Sequence, residues 1–311
     1  MSRYIGKRLL SAVVTLFVVA VVMFCLLEFL PGSPFNSEKL DPVQKQLMAA
    51  KYGLDQPAIS RLGTYLVNLV QGDFGVSYNI IPDMDVSQML TTRLPVTIRI
   101  GLQALVLGVV VGLVLGILSA VRRRGWIDNV STFLAVLAFS IPSYVLALVL
   151  VYVVGFELKW LPIRYSADNP FESSILPTVS LAAYVMAVTA RYARSEMLDC
   201  LESDYILLAR AKGLPQAQVI TSHALRNTMV SIITVLSPLL VGLITGSVVV
   251  EQIFGAPGLG QLLLTAINNT DYNIIIAISL VYSLVYVGSM LLVDVLYGVI
   301  DPRIRLAGSS S

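Results

Sequence analysis

Six apolar runs dictate what this chain can become. They lie at about 9–30, 97–121, 131–155, 175–193, 229–250 and 274–300. Each is near or above the ~20 residues that a helix needs to cross a bilayer core. No water inside a bilayer can satisfy backbone N–H and C=O groups, so such runs are read as helices. With 56% hydrophobic and 13% charged residues, and a mean hydropathy of +0.81, the chain is too apolar for a soluble fold. The expected class is an all-α polytopic membrane protein with six transmembrane helices. Arg3, Lys7 and Arg8 precede the first run, as in a signal peptide. That run is too long for one and no small-x-small cleavage site follows, so an uncleaved first span is expected.

An even number of spans puts both termini on one side. Thirteen basic residues fall on that side, among them Arg3, Lys7 and Arg8, Arg122 to Arg124, and Arg210 and Lys212. The two short loops opposite hold only Lys159 and Arg164. By the positive-inside rule, the termini and the polar stretch 196–227 are expected to be cytoplasmic, and the segment 31–96 external. This divides the chain into an N-terminus with the first span (1–30), an external lobe (31–96), a core of five spans (97–300) and a cytoplasmic tail (301–311).

The lobe carries its own turn chemistry. Asp41, Pro42 and Gln44 read as a helix start, with Gly53 as its stop. Ile59, Leu62, Leu66 and Leu69 mark a second helix, Gly72 to Gly75 a turn, and Asp85 the cap of a third helix before Pro95. A segment so punctuated is a folded lobe rather than a linker.

The stretch 196–227 is a polar island between two spans and reads as two short helices with a sharp break. Leu198, Leu201, Tyr205 and Leu208 are spaced as one apolar helical face. Acids come early (Glu196, Asp199, Glu202, Asp204) and bases late (Arg210, Lys212), the order that the helix dipole favours. Gly213 supplies a left-handed stop and Pro215 starts the second helix. A solvated connector needs no such design, which points to a docking element.

Within the spans, Ala104, Gly108, Gly112, Gly116 and Ala120 put a small residue at every fourth position. This pattern lets two membrane helices approach backbone to backbone, and Gly242 with Gly246 is a weaker pair of the same kind. Glu28, Arg99 and Glu251 are expected near the outer ends, within reach of headgroups or water, and Asp294 inside the last run. Ser140, Pro142 and Ser143 break the third span, and Pro177 opens the fourth. A proline in mid-helix frees a carbonyl that protein or a wet path must satisfy. Ser140, Pro142, Ser143, Gly242 and Glu251 are therefore candidates for a path or gate, with a packing kink as the alternative at the proline.

Several chemistries are excluded. Cys25 falls inside the first run and Cys200 in the polar island, so lipid separates them and no disulfide framework follows. A single histidine, His223, leaves no catalytic triad and no metal cluster. No phosphate-binding Gly-x-x-x-x-Gly-Lys-Ser/Thr loop occurs. A net charge of +2 with no basic run longer than Arg122–Arg124 gives no sign of nucleic acid. No catalytic, cofactor or metal residue is expected in this chain. An ion-coupled secondary transporter would need ionisable groups at mid-membrane, where almost none stand, and it is kept as the alternative of a different class.

The run Ala209-Arg210-Ala211-Lys212-Gly213-Leu214-Pro215, followed by His223-Ala224-Leu225-Arg226-Asn227, resembles the cytoplasmic coupling loop of ABC importer permeases. The likeness is to the peptide-transporting branch and its B-type inner-membrane component. Leu207 and Leu208 stand where that pattern has Glu and its first Ala. Pro31 to Phe35, Gly72 to Gly75, Glu251 to Gly260, Asp271-Tyr272, Asp294 to Tyr297 and Asp301 to Arg305 are similar to further signatures of the same branch. The resemblance implies six helices of the type I importer kind in a bacterial or archaeal cell membrane. It implies partners: a second homologous six-span permease chain, two cytoplasmic ABC ATPase subunits that bind ATP and Mg, and an external peptide-binding protein. Tyr205, Leu208 to Pro215 and Ala217 would be the ATPase-coupling residues, and peptide the substrate, with oligopeptides favoured. Dipeptide, nickel or another small solute is the alternative within the family.

Overall fold

The computed structural model describes residues 2–29, 35 and 41–300, without the side chains of 2–5, 7, 9, 42, 230, 236, 237, 241, 244–246 and 294–300. The expected marks Pro31 to Pro34 and Asp301 to Arg305, the surroundings of Gly246 and the side chains of Asp294 to Tyr297 lie outside the described residues. Among the described residues the structure is helical, with one isolated antiparallel bridge between Val76 and Asp85. Helices α1 (Ser2–Glu28), α2 (Pro42–Lys51), α3 (Ala58–Val70) and α4 (Val86–Val121) are followed by α5 (Trp126–Ser140) and α6 (Ser143–Leu150). Then come α7 (Ile175–Leu201), α8 (Asp204–Ala211), α9 (Gln216–Gln218), α10 (Leu225–Phe254), α11 (Leu259–Asn268) and α12 (Tyr272–Ile300). Among the described residues, four stretches are long and apolar enough to cross a membrane, and six are if each of two sharply bent helix pairs counts as one span.

The chain divides into two compact units, Met1–Thr97 with Pro257–Val287, and Ile98–Ala256 with Gly288–Ser311. In the first unit, α2 begins where Pro42 and the Asp41 N–H bond to Gln44 Oε1 (3.2 Å) set its first turn. It ends at Gly53, which has a left-handed φ of 68°. Of the second lobe helix, Tyr65, Leu66 and Leu69 pack with Phe24 and Phe74 around Ala20, while Ile59 is 84% exposed. Arg61 pairs with Glu28 at the end of α1. Phe35, Tyr52 and Tyr78 form an aromatic triad, Tyr52 and Tyr78 with centroids 4.8 Å apart. At the lobe surface Lys51 Nζ donates to Asp83 Oδ2 (2.6 Å) and Tyr52 Oη to Oδ1 (2.9 Å). These bonds, the lysine's first, hold the Asp83 carboxyl below its usual range.

One carboxylate ties the lobe to the turn before α12. Asp271 is fully buried, and its Oδ2 accepts from Ser77 Oγ (2.6 Å) and from the backbone N–H groups of Tyr78 (3.0 Å), Asn79 (3.0 Å) and Ile80 (3.2 Å). Asn273 Nδ2 adds a bond to the Val76 carbonyl (2.9 Å). Thus Gly72–Gly75 with the loop after it, and Asp271-Tyr272, nearly two hundred positions apart in the chain, belong to one folded body.

One expectation fails here. Asp85 does start a helix, its Oδ1 accepting from the Ser87 N–H (2.8 Å), but that helix does not stop before Pro95. It runs through the proline into the second span as a 36-residue helix. Pro95 removes only one ladder bond, and the helix is anchored on either side of it by the buried Met89, Leu90 and Ile100. At ~1.5 Å per residue, α4 is about 54 Å long and overruns a bilayer core of about 30 Å.

In the second unit the small-residue stripe of α4 faces α7. A Cβ added to Gly108 would lie 2.8 Å from the Ala182 carbonyl, one on Gly112 2.7 Å from that of Met186, and one on Gly116 2.6 Å from that of Ala190. Ala104 and Ala120, at the two ends of the stripe, are buried. The two backbones therefore touch over about three turns, which only glycine at these positions permits. Beyond the stripe stands an ion pair. Arg194 of α7 donates from Nε to Asp128 Oδ1 (2.8 Å) and from Nη2 to Oδ2 (3.0 Å), a bidentate pair across to α5. Ser119 of α4 donates to the same Oδ1 (2.5 Å), and the Arg124 N–H to Oδ2 (2.9 Å). Three helices meet on one carboxylate that is 5% exposed.

Gly101 lies on α4 outside the stripe, with nothing within 4 Å of an added Cβ. Gly101→Ala should therefore leave thermal stability in detergent unchanged or slightly raised, alanine favouring a helix by about 1 kcal/mol over glycine. Gly112→Ala should lower it by about 1–3 kcal/mol through overpacking. Equal midpoints for the two variants would refute the close contact.

Candidate functional site

The polar island folds as a hairpin under α7 and α4. α7 does not stop where the apolar run ends but continues to Leu201. Glu202 and Ser203 break it, Ser203 taking an extended backbone (φ −76°, ψ 153°) as the first cap of α8. At the other end, Gly213 sits at φ 79°, the Leu214 N–H reaches the Ala209 carbonyl (3.3 Å) and the Gly213 N–H that of Arg210 (2.9 Å). This paired bonding across a left-handed glycine is the Schellman closure. Pro215 then takes an extended backbone (φ −66°, ψ 146°) as the cap residue just before α9. From Gln216 the helix widens into i→i+5 turns over Val219–Ala224 and passes without a break into α10. The second arm of the hairpin is thus the leading end of a membrane helix. A displacement of one is a displacement of the other.

The apolar face of α8 differs from the one expected. Ile206 and Ala209 are buried, packed with Val219 and Ala224 against Met197 of α7 and Ala120 of α4. Tyr205 and Leu208, read as one face with Leu198 and Leu201, are instead 40% and 57% exposed. The break at Glu202–Ser203 resets the helical phase, so spacing counted through it misassigns the face. Ala209, expected at a coupling surface, belongs to the underside, where its small side chain lets α8 lie close. Outward stand Leu207, Leu208, Arg210, Ala211, Lys212, Gly213, Pro215 and Ala217, with Leu214 half-buried. Asn227 Nδ2 donates to Tyr205 Oη (2.7 Å) and Arg123 pairs with Glu202 (2.5 Å), pinning the hairpin at two further points.

The expected gate residues separate into two groups. Ser140 and Pro142 mark a bend of 101° between α5 and the helix that follows, with Ser143 opening α6. Gly242 of α10 is exposed, and a Cβ there would lie 3.8 Å from the Tyr184 ring. Glu251 does not reach headgroups or water as expected; it is fully buried at the last turn of α10. The left-handed Gly255 closes the helix there, the Ala256 N–H reaching the Glu251 carbonyl (2.8 Å).

Sequence reasoning missed Asp128. It lies three residues before the apolar run, and its partner is 66 positions away. It also missed the exposed face of α7, where Tyr184, Arg191, Tyr192 and Ser195 interrupt an otherwise aliphatic span. A helical projection of α7 would have shown the second but not the first.

Comparison with known proteins defines the class. Residues 112–306 match the family described as binding-protein-dependent transport system inner membrane component. Over 306 residues, 98% of this chain and 100% of the relative, it is 40% identical to the dipeptide transport system permease protein DppB of Lactococcus lactis subsp. cremoris. It is 37% identical over 306 residues, again 98% of this chain and 100% of the relative, to the oligopeptide transport system permease protein OppB of Haemophilus influenzae. The inward-facing MetNI methionine ABC transporter shares the fold, with a TM-score of 0.58 and 17% identity over 69% of this chain and 97% of that one. The chain belongs to this family and is a permease component of the ABC importer type.

A left-handed backbone costs an L-residue about 1–2 kcal/mol, and a Cβ added at Gly213 would meet nothing within 4 Å to complicate the test. Gly213→Val should leave membrane insertion and assembly intact, checked by subunit stoichiometry on a gel, and should lose most transport-linked ATP hydrolysis. Gln218→Ser, on an exposed position beyond the turn, should change little. Parental transport by an assembled Gly213→Val complex would refute a coupling role for this turn.

Proposed function

We propose that this chain is one half of the translocation path of an ATP-driven peptide importer. The observation that carries the reading is the hairpin, whose underside is sealed to α4 and α7, whose outer face shows Leu207 and Leu208 to solvent, and whose second arm continues into α10. A partner ATPase gripping Tyr205, Leu208, Arg210 to Pro215 and Ala217 would move α10 directly. The motion is a rigid-body switch between two access states. The hairpin and both termini face the cytoplasm of a bacterial or archaeal cell, and the lobe faces outward.

ATP and Mg bind to two ABC ATPase partners, this chain being a non-catalytic membrane subunit. A second six-span permease completes the path, and an external binding protein delivers substrate to the lobe side. Relatives named for dipeptides and for oligopeptides both cover the full chain, which supports peptide as the substrate class. The preference for oligopeptides suggested by the lobe has less support, since a dipeptide permease is the more similar of the two.

The test is reconstitution of the chain with its partner subunits in liposomes. ATP-dependent uptake of dialanine and trialanine, stimulated by loaded binding protein, is expected. Uptake driven by a proton or sodium gradient without ATP would overturn the reading in favour of a secondary transporter, and ATP-dependent uptake of a metal ion but no peptide would overturn the substrate class.

A further inference from the structure

α7 presents its exposed side to two open grooves. One, of about 480 Å³, is lined by Phe139 of α5 and by Tyr184, Arg191, Tyr192, Ser195 and Glu196 of α7. The other, of about 530 Å³, shares Tyr184, Tyr192 and Glu196 and is closed on its far side by Ser231, Thr234 and Pro238 of α10. The phenyl ring of Phe139 stacks on Tyr184 (centroids 5.8 Å apart, 25° between planes), and the Arg191 guanidinium stands 5.2 Å from the Phe139 centroid.

Charge is the informative part. Arg194, one turn from Arg191, is bound bidentately by Asp128. Among the described residues neither Arg191 nor Glu196 has an oppositely charged partner. Arg191 stands at the end of the apolar run and Glu196 just beyond it, and both line the same open groove, which offers a cation and an anion to one occupant. They stand five positions apart, about 7.5 Å of helical rise. The termini of an extended di- or tripeptide are about 7–10 Å apart.

We infer that this face of α7 is a peptide-contact track in which Arg191 receives the peptide carboxylate, Glu196 its ammonium group, and Tyr184 and Tyr192 the body of the chain. Aromatic faces hold a peptide without regard to its side chains, whereas the two charges select free termini. The Phe139 ring, itself stacked on Tyr184, pre-positions Arg191 by a cation–π contact that a carboxylate can replace. The inference rests on the proposed peptide import and specifies its substrate as short zwitterionic peptides.

The test uses the assembled complex in nanodiscs, in a Cys25→Ser, Cys200→Ser background carrying Ser195→Cys or, on an aliphatic face of α4, Val114→Cys. Labelling rates are measured with two thiosulfonate reagents, one bearing trimethylammonium and one sulfonate. Position 195 should react with both and position 114 with neither. Arg191→Gln should slow the sulfonate reagent roughly tenfold relative to the ammonium one, and Glu196→Gln should do the reverse. During ATP turnover with loaded binding protein, trialanine should protect position 195 in the parent and not in the Arg191→Gln, Glu196→Gln double variant.

An inert position 195, charge-independent labelling, or no protection would each overturn the track. So would a charge effect seen with phosphatidylglycerol discs and lost with phosphatidylcholine alone, which would make a lipid phosphate the partner of Arg191. ATP-dependent trialanine uptake by the parent is measured beside these. Intact uptake without the labelling pattern refutes the track alone, and absent uptake refutes the proposed function itself.

Discussion

The unit that holds the hairpin depends on one contact, the seam between α4 and α7 with the Asp128–Arg194 pair at its end. Lipid tails are as apolar as leucine, so burying apolar side chains between helices gives little drive in a membrane. What remains is close packing and satisfied polar groups. Gly108, Gly112 and Gly116 supply the first by letting the backbones touch. Asp128 supplies the second, its two oxygens shared among a guanidinium, a hydroxyl and a backbone N–H. The arrangement is all or nothing. Without Arg194 the carboxylate would be a buried charge with no counter-ion, which is strongly destabilising, and without the glycines the two helices could not come near enough to form the pair.

From that seam the functional parts take their places. The end of α7 carries Met197 into the hairpin core, beside Ala120 from the last turn of α4, so the underside of α8 is set against a fixed floor. The left-handed turn at Gly213 then aims the second arm, which rises as α10. The second arm runs without a break into α10, while the exposed leucines of α8 stand on the far side of the Gly213 turn. The exposed face of α7 belongs to the same packed body as α4 and α5.

The legible part of the fold was the part written in local chemistry. Span-length runs, the four-residue repeat of small side chains, the stop at Gly213 and the start at Pro215 each follow from a few neighbouring residues, and the helices fall where those rules put them. Three kinds of feature were hidden. Asp128 stood outside the apolar window, and nothing local announces a partner 66 positions on. The cradle of Asp271 by Ser77 to Ile80 is likewise a long-range closure. Phase was lost at Glu202–Ser203, so Tyr205 and Leu208 were assigned to the wrong face although the helix itself was found. Pro95 and Glu251 show the same limit: proline strength and charge placement were judged locally, and packing decided otherwise.

The central claim is that α4 and α7 form one rigid body during the cycle. It is tested most directly by a distance between them in two states of the assembled importer. Spin labels at Val114 on α4 and Ser195 on α7, both exposed, should report the same separation in the nucleotide-free and the ATP-bound complex, to within about 2 Å. A change of about 5 Å, one helical turn, would mean that the glycine seam slides and the Asp128–Arg194 pair breaks in each cycle. That result would contradict the account.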